Sequence, residues 1–437
     1  MGTRTMSRRQ FFKRAVGAGS ATLSLPYFIP AGVLGGAGLA AASDRIVLGC
    51  IGLGWMGTGN MKNFLARPNV KVVAVCDVDV EHRNAARDIV NKKYGNRDCA
   101  AYNDFRELLA REDIDAVSIA TPDHWHAIPA VKAARRGKDI YGEKPLAYNI
   151  AEGRAICDAL EKYGAIWQTG SWQRSQFQFR RACELVRNGR IGNVHTVTVG
   201  LPYGNGGSLE TKPSPVPEGF DYDTWLGPAP WAYYCAGRCH FNFRWISDYA
   251  GGQITDWAGH HCDIAQWGMG TEYTAPIEVK GKGVFPRAEN GLYDTIEAYR
   301  FECKYAEGFT MIVCDVKQHP KGNMGTLFEG SEGWLYVRRG FWDAHPKSIL
   351  QSTIGPNETH LYESDDHIGN FLDCVRTRKQ TIAPAEVAHH SIMIGHLGIA
   401  AMKLGRTLKW DPKKEVFTND TAANRLLSRP MRSPWRL

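Results

Sequence analysis

The chain has 437 residues, of which 43% are hydrophobic and 11% aromatic. This composition excludes a disordered protein, and the length predicts two folded domains. The formal net charge is +8, but residues 1–42 contain five basic and no acidic residues, so the remainder carries only 8 − 5 = +3. Such a small surplus, with no basic cluster interleaved with aromatic residues, argues against a nucleic-acid-binding surface.

The N-terminal segment has the features of an export signal. Residues 7–13 read SRRQFFK, a twin-arginine signature, and residues 15–42 carry no charge. Glycines and prolines make that run a poor stable membrane span but a suitable signal core, and Ala40–Ala42 offers a small-residue cleavage pattern. We predict a signal peptide over residues 1–42, transport by the twin-arginine translocase, and a periplasmic or otherwise exported location. A retained anchor or a cytoplasmic tail is the alternative.

A dinucleotide-binding pattern follows. The apolar run Ile46–Ile51 leads directly into GLGWMG at residues 52–57, which has the G-x-G-x-x-G spacing expected after the first strand of a βαβ unit. A second apolar run, Val70–Cys76, ends in a carboxylate where a ribose hydroxyl partner is expected. An ordinary glycine-rich turn is the weaker alternative. The predicted cofactor contacts of this region are Gly52, Gly54, Trp55, Met56, Gly57 and Asp77.

Strands and helices then alternate up to residue 170. The predicted strands are Ala116–Ala120, Lys138–Tyr141 and Ile166–Thr169, and the predicted helices are residues 81–95, Tyr102–Glu112, Ile128–Arg136 and Ala151–Tyr163. Asn103 or Asp104 is expected to cap the helix of Tyr102–Glu112. This alternation predicts an α/β Rossmann domain with a doubly wound parallel sheet over residues 43–170.

The second half of the chain has a different pattern of predicted helices and strands. Helices are predicted at Gln178–Asn188, Ile254–Gly268, His360–Thr377 and Pro384–Leu404, and strands at Val194–Gly200 and at residues 277–285, 294–303, 309–318, 325–329 and 333–337. Because few helices separate the strands, we predict an α+β domain over residues 171–437 with an open antiparallel sheet. Residues 201–250, called the aromatic segment below, are rich in aromatic residues. Such a segment is typical of a functional loop or of a packed structural one. Residues 409–437 are expected to form an irregular tail.

Two groups of residues could carry the reaction chemistry. Lys144 follows a strand end and could polarise a hydroxyl or carbonyl beside a nicotinamide, although a lone lysine is usually a solvated surface charge. Asp256 lies one helical turn before His260, so its carboxylate could orient the imidazole as a general base and raise its basicity. A structural hydrogen bond between the two is the alternative.

A third group could bind substrate. Cationic donors beside aromatic rings suit a hydroxyl-rich or carboxylated sugar, with structural salt bridges as the alternative. The predicted substrate-binding residues are Arg238, His240, Arg244, Trp245 and Trp231.

Metal ligation is not predicted. The eleven cysteines are scattered and odd in number, and no second pair at ligand spacing follows Cys235 and Cys239. His260, His261 and Asp263 are too close together on one helix to share an ion easily. We therefore expect structural thiols and no metal.

Four of these motifs together resemble one family. They are GLGWMG at residues 52–57, Ala120-Thr121-Pro122 with His126, Glu143-Lys144-Pro145, and Gly251-Gly252 followed by Asp256-x-x-x-His260. The combination is similar to the glucose–fructose oxidoreductase/inositol dehydrogenase/MocA (Gfo/Idh/MocA) superfamily. The twin-arginine signal and the aromatic residues of 220–267 resemble its exported, sugar-acting bacterial members. The resemblance implies catalytic positions at Lys144, Asp256 and His260, and further cofactor contacts at Thr121, Pro122, His124, His126, Glu143 and Lys144.

The resemblance implies an exported NAD(H)-dependent oxidoreductase that transfers a hydride from a ring carbinol of a sugar or sugar derivative. Asp77 favours NAD over NADP because a carboxylate repels a 2′-phosphate. Since free NAD is scarce outside the cytoplasm, we expect a tightly bound cofactor that each cycle restores. The cycle either couples oxidation of one sugar to reduction of another, or oxidises, eliminates and reduces back as an NAD-dependent glycosidase or lyase. A non-catalytic periplasmic sugar-binding protein is a further alternative, and a homo-oligomer is expected by analogy.

Overall fold

Two β-sheets and the helices packed on them form the part of the chain that the computed structural model describes, residues 44–207, 210–286 and 291–437. The signal peptide predicted for residues 1–42 lies outside these residues. Within the described ranges, no helix is both long enough and apolar enough to cross a lipid bilayer.

The first sheet has six parallel strands in the order β3-β2-β1-β4-β5-β6. The strands are β1 Ile46–Ile51, β2 Val70–Cys76, β3 Ala100–Tyr102, β4 Ala116–Ile119, β5 Asp139–Gly142 and β6 Trp167–Thr169. Strands β4 and β5 are buried along their whole length, as expected for strands covered on both faces. The order reverses between β1 and β4, so the crevice beyond their carboxyl ends is where a doubly wound sheet binds its ligand.

The helices of this half match the sequence pattern closely. They are α1 Trp55–Leu65, α2 Val80–Tyr94, α3 Phe105–Ala110, α4 Ala127–Arg135 and α5 Ile150–Tyr163. The Asp79 side chain caps α2 by accepting from two backbone N–H groups, and Gly95 ends the helix in a left-handed conformation. Asp104, not Asn103, caps α3.

The second sheet has nine strands in the order β13-β12-β11-β7-β10-β9-β8-β14-β15. They are β7 Val194–Leu201, β8 Glu278–Val284, β9 Ala298–Lys304, β10 Thr310–Asp315, β11 Gly325–Gly330, β12 Gly333–Arg338, β13 Phe341–His345, β14 Leu408–Asp411 and β15 Val416–Phe417. The predicted fold class is confirmed, with one difference. The sheet is mixed, because β7 pairs in parallel with β10, whereas its other pairs are antiparallel. The long excursion between β7 and β8 lets the chain re-enter the sheet in this direction.

Six helices complete this half: α6 Phe177–Arg187, α7 Tyr222–Leu226, α8 Gly252–Met269, α9 His367–Thr377, α10 Ala385–Leu404 and α11 Thr421–Asn424. Helices α8 and α10 are almost entirely buried and pack on each other and on the second sheet, and α10 also packs on α5. On α8, a Cβ added to Gly259 would lie 3.2 Å from the Cβ of Lys144. This close approach brings α8 to the carboxyl end of β5.

The structure differs from the prediction near the C-terminus. Helix α9 begins at His367 and not at His360, because the Asp366 side chain accepts from the N–H of Gly369 and caps the helix there. The expected irregular tail instead contains β14 and β15, and β14 extends the second sheet along β8. These strands are short and depend on pairing with distant residues, which local sequence does not record.

Candidate active site

A cleft of about 910 Å³ lies at the carboxyl ends of the first sheet and is bounded on its other side by α8 and the aromatic segment. Thirteen of the predicted site residues line it: Gly52, Gly54, Trp55, Met56, Asp77, Thr121, Pro122, Glu143, Lys144, His240, Arg244, Asp256 and His260. One cavity therefore contains both the glycine loop and the residues predicted to carry the chemistry.

The glycine loop forms a cradle for a phosphate group. Gly52 has φ +79°, and a Cβ on Gly57 would lie 1.8 Å from the carbonyl oxygen of Gly52, so only glycine permits this contact between helix and strand. A Cβ on Gly54 would meet nothing within 4 Å, which leaves open space above the loop. Gly54 is also the N-cap of α1, and no side chain caps that helix. Its first-turn N–H groups are available to an anion.

Two further groups fit a dinucleotide. The Asp77 carboxylate accepts from the N–H of Leu53 at 2.6 Å and of Asp79 at 2.9 Å, which fixes its position at the end of β2. The buried Oγ1 of Thr121, at the end of β4, has no hydrogen-bond partner in the described chain. A buried hydroxyl without a partner is costly, so this atom suits a ligand group. The cradle, Asp77 and Thr121 together fit the chemistry of a dinucleotide.

Lys144 and Asp256 form an ion pair in the same cleft. Lys144 Nζ donates to Asp256 Oδ1 at 2.6 Å, and the two side chains are 14% and 19% exposed. Burial alone would lower the pKa of Lys144 and raise that of Asp256, but their mutual attraction outweighs it. The pKa of Lys144 is therefore raised and that of Asp256 lowered, so both groups are charged at neutral pH.

His260 lines the cleft without the partner predicted for it. The Asp256 carboxylate hydrogen-bonds Lys144, and His260 Nδ1 is buried with no hydrogen-bond partner among the described residues. Burial and the charges of Lys144 and Arg339 lower the pKa of His260 well below its ordinary value. The expectation that Asp256 raises the basicity of His260 is thus wrong in this structure. The imidazole is neutral at physiological pH and can accept a proton or a hydrogen bond.

Two more carboxyl groups lie in the cleft wall. Glu143 is buried and accepts from Asn60 Nδ2 at 2.8 Å, and burial raises its pKa. Asp123, which sequence reasoning missed, is 5% exposed. Burial first, and then the neighbouring Asp256 charge, raise the pKa of Asp123 to about 8. Its carboxyl group is therefore mostly protonated at neutral pH, in the loop that follows β4.

The two histidines of that loop lie behind the cleft wall. His124 Nε2 lies 3.0 Å from the carbonyl oxygen of Trp225, and burial lowers the pKa of His124 to about 3. The ring nitrogens of His126 lie 2.6 Å from the carbonyl oxygen of Pro145 and 2.8 Å from that of Thr121. Neither histidine lines the cleft, so their contacts position the loop and do not support the predicted direct contact with a cofactor.

The predicted substrate-binding residues separate into two sets. His240 and Arg244 line the cleft. Arg238 is buried in the aromatic segment, where it donates to the carbonyl oxygen of Tyr233 and to the hydroxyl of Tyr249, both at 3.1 Å. Trp245 is packed in the aromatic cluster of that segment, and Trp231 is 72% exposed outside the cleft. The structure therefore does not place Arg238, Trp245 or Trp231 where they could touch a ligand in this cavity.

The aromatic segment is docked on the first domain. Val80 N donates to the carbonyl oxygen of Gly219 and Asp221 N to that of Val78, each at 3.0 Å, and Asn103 Nδ2 donates to Asp221 Oδ2 at 2.7 Å. These contacts bring aromatic side chains from a distant part of the chain to the end of β2. The cleft is consequently walled by rings on the side opposite the glycine loop.

Sequence reasoning missed several other residues of the cleft wall, namely Asn60, Trp172, Gln176, Gln253, Trp257 and Arg339. Trp257 adjoins Asp256 and could have been suspected from that position. Arg339 lies in the turn between β12 and β13, and no local pattern connects it to the glycine loop nearly 300 residues earlier. Only the packing of the two sheets brings it there.

Comparisons with known proteins agree with this geometry. One family model, described as "Oxidoreductase family, NAD-binding Rossmann fold", matches residues 46–171. A second, "Oxidoreductase family, C-terminal alpha/beta domain" of Gfo/Idh/MocA proteins, matches residues 184–437.

Individual proteins that match this chain have low sequence identity to it. "Uncharacterized oxidoreductase YrbE" of Bacillus subtilis is 28% identical over 241 residues, 55% of this chain and 58% of that protein. A "Glycosyl hydrolase family 109 protein" of Saccharopolyspora erythraea is 34% identical over 158 residues, 35% of this chain and 34% of that protein. The matched region thus spans about half or less of these two relatives. The aldose-aldose oxidoreductase of Caulobacter crescentus, solved with glycerol, has a TM-score of 0.61 at 18% identity and covers 84% of this chain and 99% of its own, which shows a shared fold.

Proposed function

Because the chain belongs to the Gfo/Idh/MocA oxidoreductase family, we propose that it is an NAD-dependent oxidoreductase acting on a sugar or sugar derivative. One observation carries the proposal. The half-buried Lys144–Asp256 pair and the neutral His260 lie in the same cleft as an uncapped, glycine-lined dinucleotide cradle.

The residues divide the reaction between them. When bound, the nicotinamide would supply the acceptor for a hydride from a carbinol carbon. His260 accepts the hydroxyl proton, since its low pKa keeps it neutral. Lys144 has two N–H groups beyond the one that Asp256 accepts, and these can stabilise negative charge on the carbinol oxygen. Asp256 holds the ammonium group in position.

We propose NAD in preference to NADP. Asp77 occupies the position of the ribose partner, and its carboxylate would repel a 2′-phosphate. The cleft also offers flat aromatic surfaces for the apolar faces of sugar rings, among them Trp172 and Trp257.

The test begins with the protein as isolated. Mass spectrometry identifies any bound nicotinamide nucleotide, and absorbance of the reduced nicotinamide reports hydride transfer when sugars are added. Lys144→Met and His260→Asn should abolish the transfer, while Lys62→Met, on an exposed lysine of α1 outside the cleft, should leave it unchanged. Protein that binds neither NAD nor NADP would refute the proposal.

A second candidate function is redox-neutral cleavage of a glycoside, in which the sugar is oxidised, loses a substituent and is reduced again. Asp123 favours it, because a carboxyl group with a pKa of about 8 can protonate a departing oxygen. The similarity to a family 109 glycosyl hydrolase supports the same possibility. Release of nitrophenol from nitrophenyl glycosides without net formation of reduced nicotinamide would identify this cycle.

We also propose that the protein is exported by the twin-arginine translocase with its cofactor bound, and that it forms a homo-oligomer. Residues 7–13 support the first part. Fractionation of cells that express wild type or the Arg8→Lys/Arg9→Lys variant tests export, and light scattering of the purified protein tests the oligomer. A variant exported as efficiently as wild type, or a monomer in solution, would overturn the respective part.

A further inference from the structure

Two arginines at the reaction end of the cleft have no acidic partner. Arg244 lies in the aromatic segment and Arg339 in the turn between β12 and β13, and both line the cavity. Among the described residues, no carboxylate oxygen lies within ion-pair distance of either guanidinium group. Arg244 is half-buried and Arg339 is exposed at the cleft, so an anionic ligand that enters the cleft can reach both guanidinium groups.

Aromatic rings hold both guanidinium groups. Arg244 lies 3.9 Å from the centre of the Phe241 ring and 4.9 Å from that of Phe243, and it donates to the carbonyl oxygen of Phe241. Arg339 lies 4.9 Å from the centre of the Trp257 ring. Stacking uses the face of a guanidinium and leaves its in-plane N–H groups available, which is the geometry that binds an acidic group through two hydrogen bonds.

Arg339 is also connected by hydrogen bonds to His260, the proposed proton acceptor. With the Gln173 amide oriented so that its nitrogen donates to the carbonyl oxygen of His260 at 2.8 Å, its oxygen accepts from Arg339 Nε at 3.3 Å. Gln173 therefore connects the arginine to the backbone of the residue that accepts the proton. This connection fixes the distance between the guanidinium group and the reacting end of the cleft.

The nearby acidic groups do not neutralise these charges. The Asp256 carboxylate is bonded to Lys144, so that pair is balanced. Burial would raise the pKa of Asp256, but Lys144 most strongly, and Arg244 and Arg339 in addition, lower it. Both arginines thus act on Asp256 through space without bonding to it. Asp123 is mostly protonated at neutral pH, and Glu143 is bonded to Asn60.

We propose that Arg244 and Arg339 bind an anionic group of the substrate, so that the sugar oxidised in this cleft is an acidic one, such as a hexuronic acid or a sugar ester of phosphate or sulfate. The inference rests on the proposed function, because it assigns the substrate class of that same site. It concerns a different end of the cleft from the glycine loop, where backbone N–H groups of α1 serve the cofactor.

Binding to the full-length protein with its nicotinamide bound tests the inference. Calorimetry compares three neutral hexoses, glucose, galactose and mannose, with the matching hexuronates, 6-phosphates and 6-sulfates. We expect at least one acidic form to bind about tenfold or more tightly than its neutral parent, as two charged hydrogen bonds allow. The arm that shows the preference identifies whether the group is a carboxylate, a phosphate or a sulfate.

Variants connect the preference to the residues. Arg339→Gln and Arg244→Gln should each remove most of the preference while leaving NAD binding unchanged. Arg338→Gln is the matched control, because Arg338 adjoins Arg339 but stacks on Phe341 and does not line the cleft. It should retain the full preference, which should also weaken as salt is added.

Different outcomes would refute the acidic-sugar inference and the proposed function. Equal binding of acidic and neutral sugars, or a preference that survives in both glutamine variants, overturns the inference and leaves the oxidoreductase proposal intact. Protein that binds NAD but none of these sugars overturns both the acidic-sugar inference and the sugar substrate. Reduction of the bound nicotinamide by a neutral sugar alone would support the proposed function and refute the inference.

Discussion

Replacing Lys144 by Met should destabilise the protein as well as inactivate it. The substitution keeps an unbranched side chain that is one atom shorter but removes the charge, so the Asp256 carboxylate loses the ammonium group 2.6 Å away. An acidic group in a largely buried site then has no hydrogen-bonded counter-ion. Activity is lost because the ammonium group is absent from the carbinol oxygen, whereas stability is lost because the Asp256 charge is left unpaired.

The structure sets the size of the effect. Removing one partner of a buried ion pair costs about 3–5 kcal/mol. Side-chain exposures of 14% and 19% show that the pair is partly open to solvent in the cleft. Arg244 and Arg339 also remain near the Asp256 carboxylate in the variant. We therefore expect the lower end of that range, about 3 kcal/mol, with a loss of activity of about 10²–10⁴-fold.

Urea unfolding of wild type, Lys144→Met, Asp256→Asn and the double variant measures the coupling. The double variant has no unpaired charge, so it should be more stable than Lys144→Met by about 1–2 kcal/mol, yet equally inactive. Because the pKa of Asp256 is lowered in the folded state, the pair stabilises the fold above the ordinary carboxyl pKa. This stabilisation should be lost as pH falls through the lowered value. Additive effects in the double variant, or a Lys144→Met protein as stable as wild type, would refute this reasoning.

Four other substitutions probe the cofactor cradle and the neutral acid. Asp77→Asn should shift the ratio of NADP to NAD affinity toward NADP by about tenfold, since one repulsive charge is removed; an unchanged ratio in equilibrium binding would contradict the role of Asp77. Gly57→Ala should destabilise the fold by at least about 1–3 kcal/mol in urea unfolding, because its Cβ would lie 1.8 Å from the carbonyl oxygen of Gly52. Gly54→Ala, whose Cβ meets nothing within 4 Å, should unfold like wild type but bind NAD more weakly. If Asp123 donates a proton, cleavage of glycosides should decline as pH rises through about 8, and Asp123→Asn should be inactive at every pH; a variant with a wild-type pH profile would remove Asp123 from the reaction.

The first sheet could be predicted from the sequence because its signals are local. An apolar run followed by GLGWMG, and a second run ending in Asp77, record a strand, a turn and the next strand within about 30 residues. The end of α2 at Gly95 agrees with the helix predicted for residues 81–95, whereas its cap Asp79 was not predicted. The parallel pairing of β7 with β10 could not be predicted from local sequence, because it joins segments more than 100 residues apart.

The interaction predicted between Asp256 and His260 illustrates the same limit. Spacing correctly placed Asp256 and His260 one turn apart on α8, and it suggested that they interact. The partner of Asp256 is instead Lys144, 112 residues away, because Gly259 lets α8 approach the end of β5. Helical periodicity indicates which side chains share one face of a helix, but it does not indicate which residues that face contacts.

The sequence by itself determined the Rossmann half and its glycine loop, and it predicted Lys144, Asp256 and His260 as site residues, since each motif depends on residue types at short, fixed spacing. Only the tertiary structure decided which groups pair. It joined Lys144 to Asp256, left His260 neutral, and brought Arg339 into the cleft from the far sheet. The physical reason is that charge and pKa depend on burial and on neighbours a few ångströms away, and those neighbours come from elements that only folding brings together.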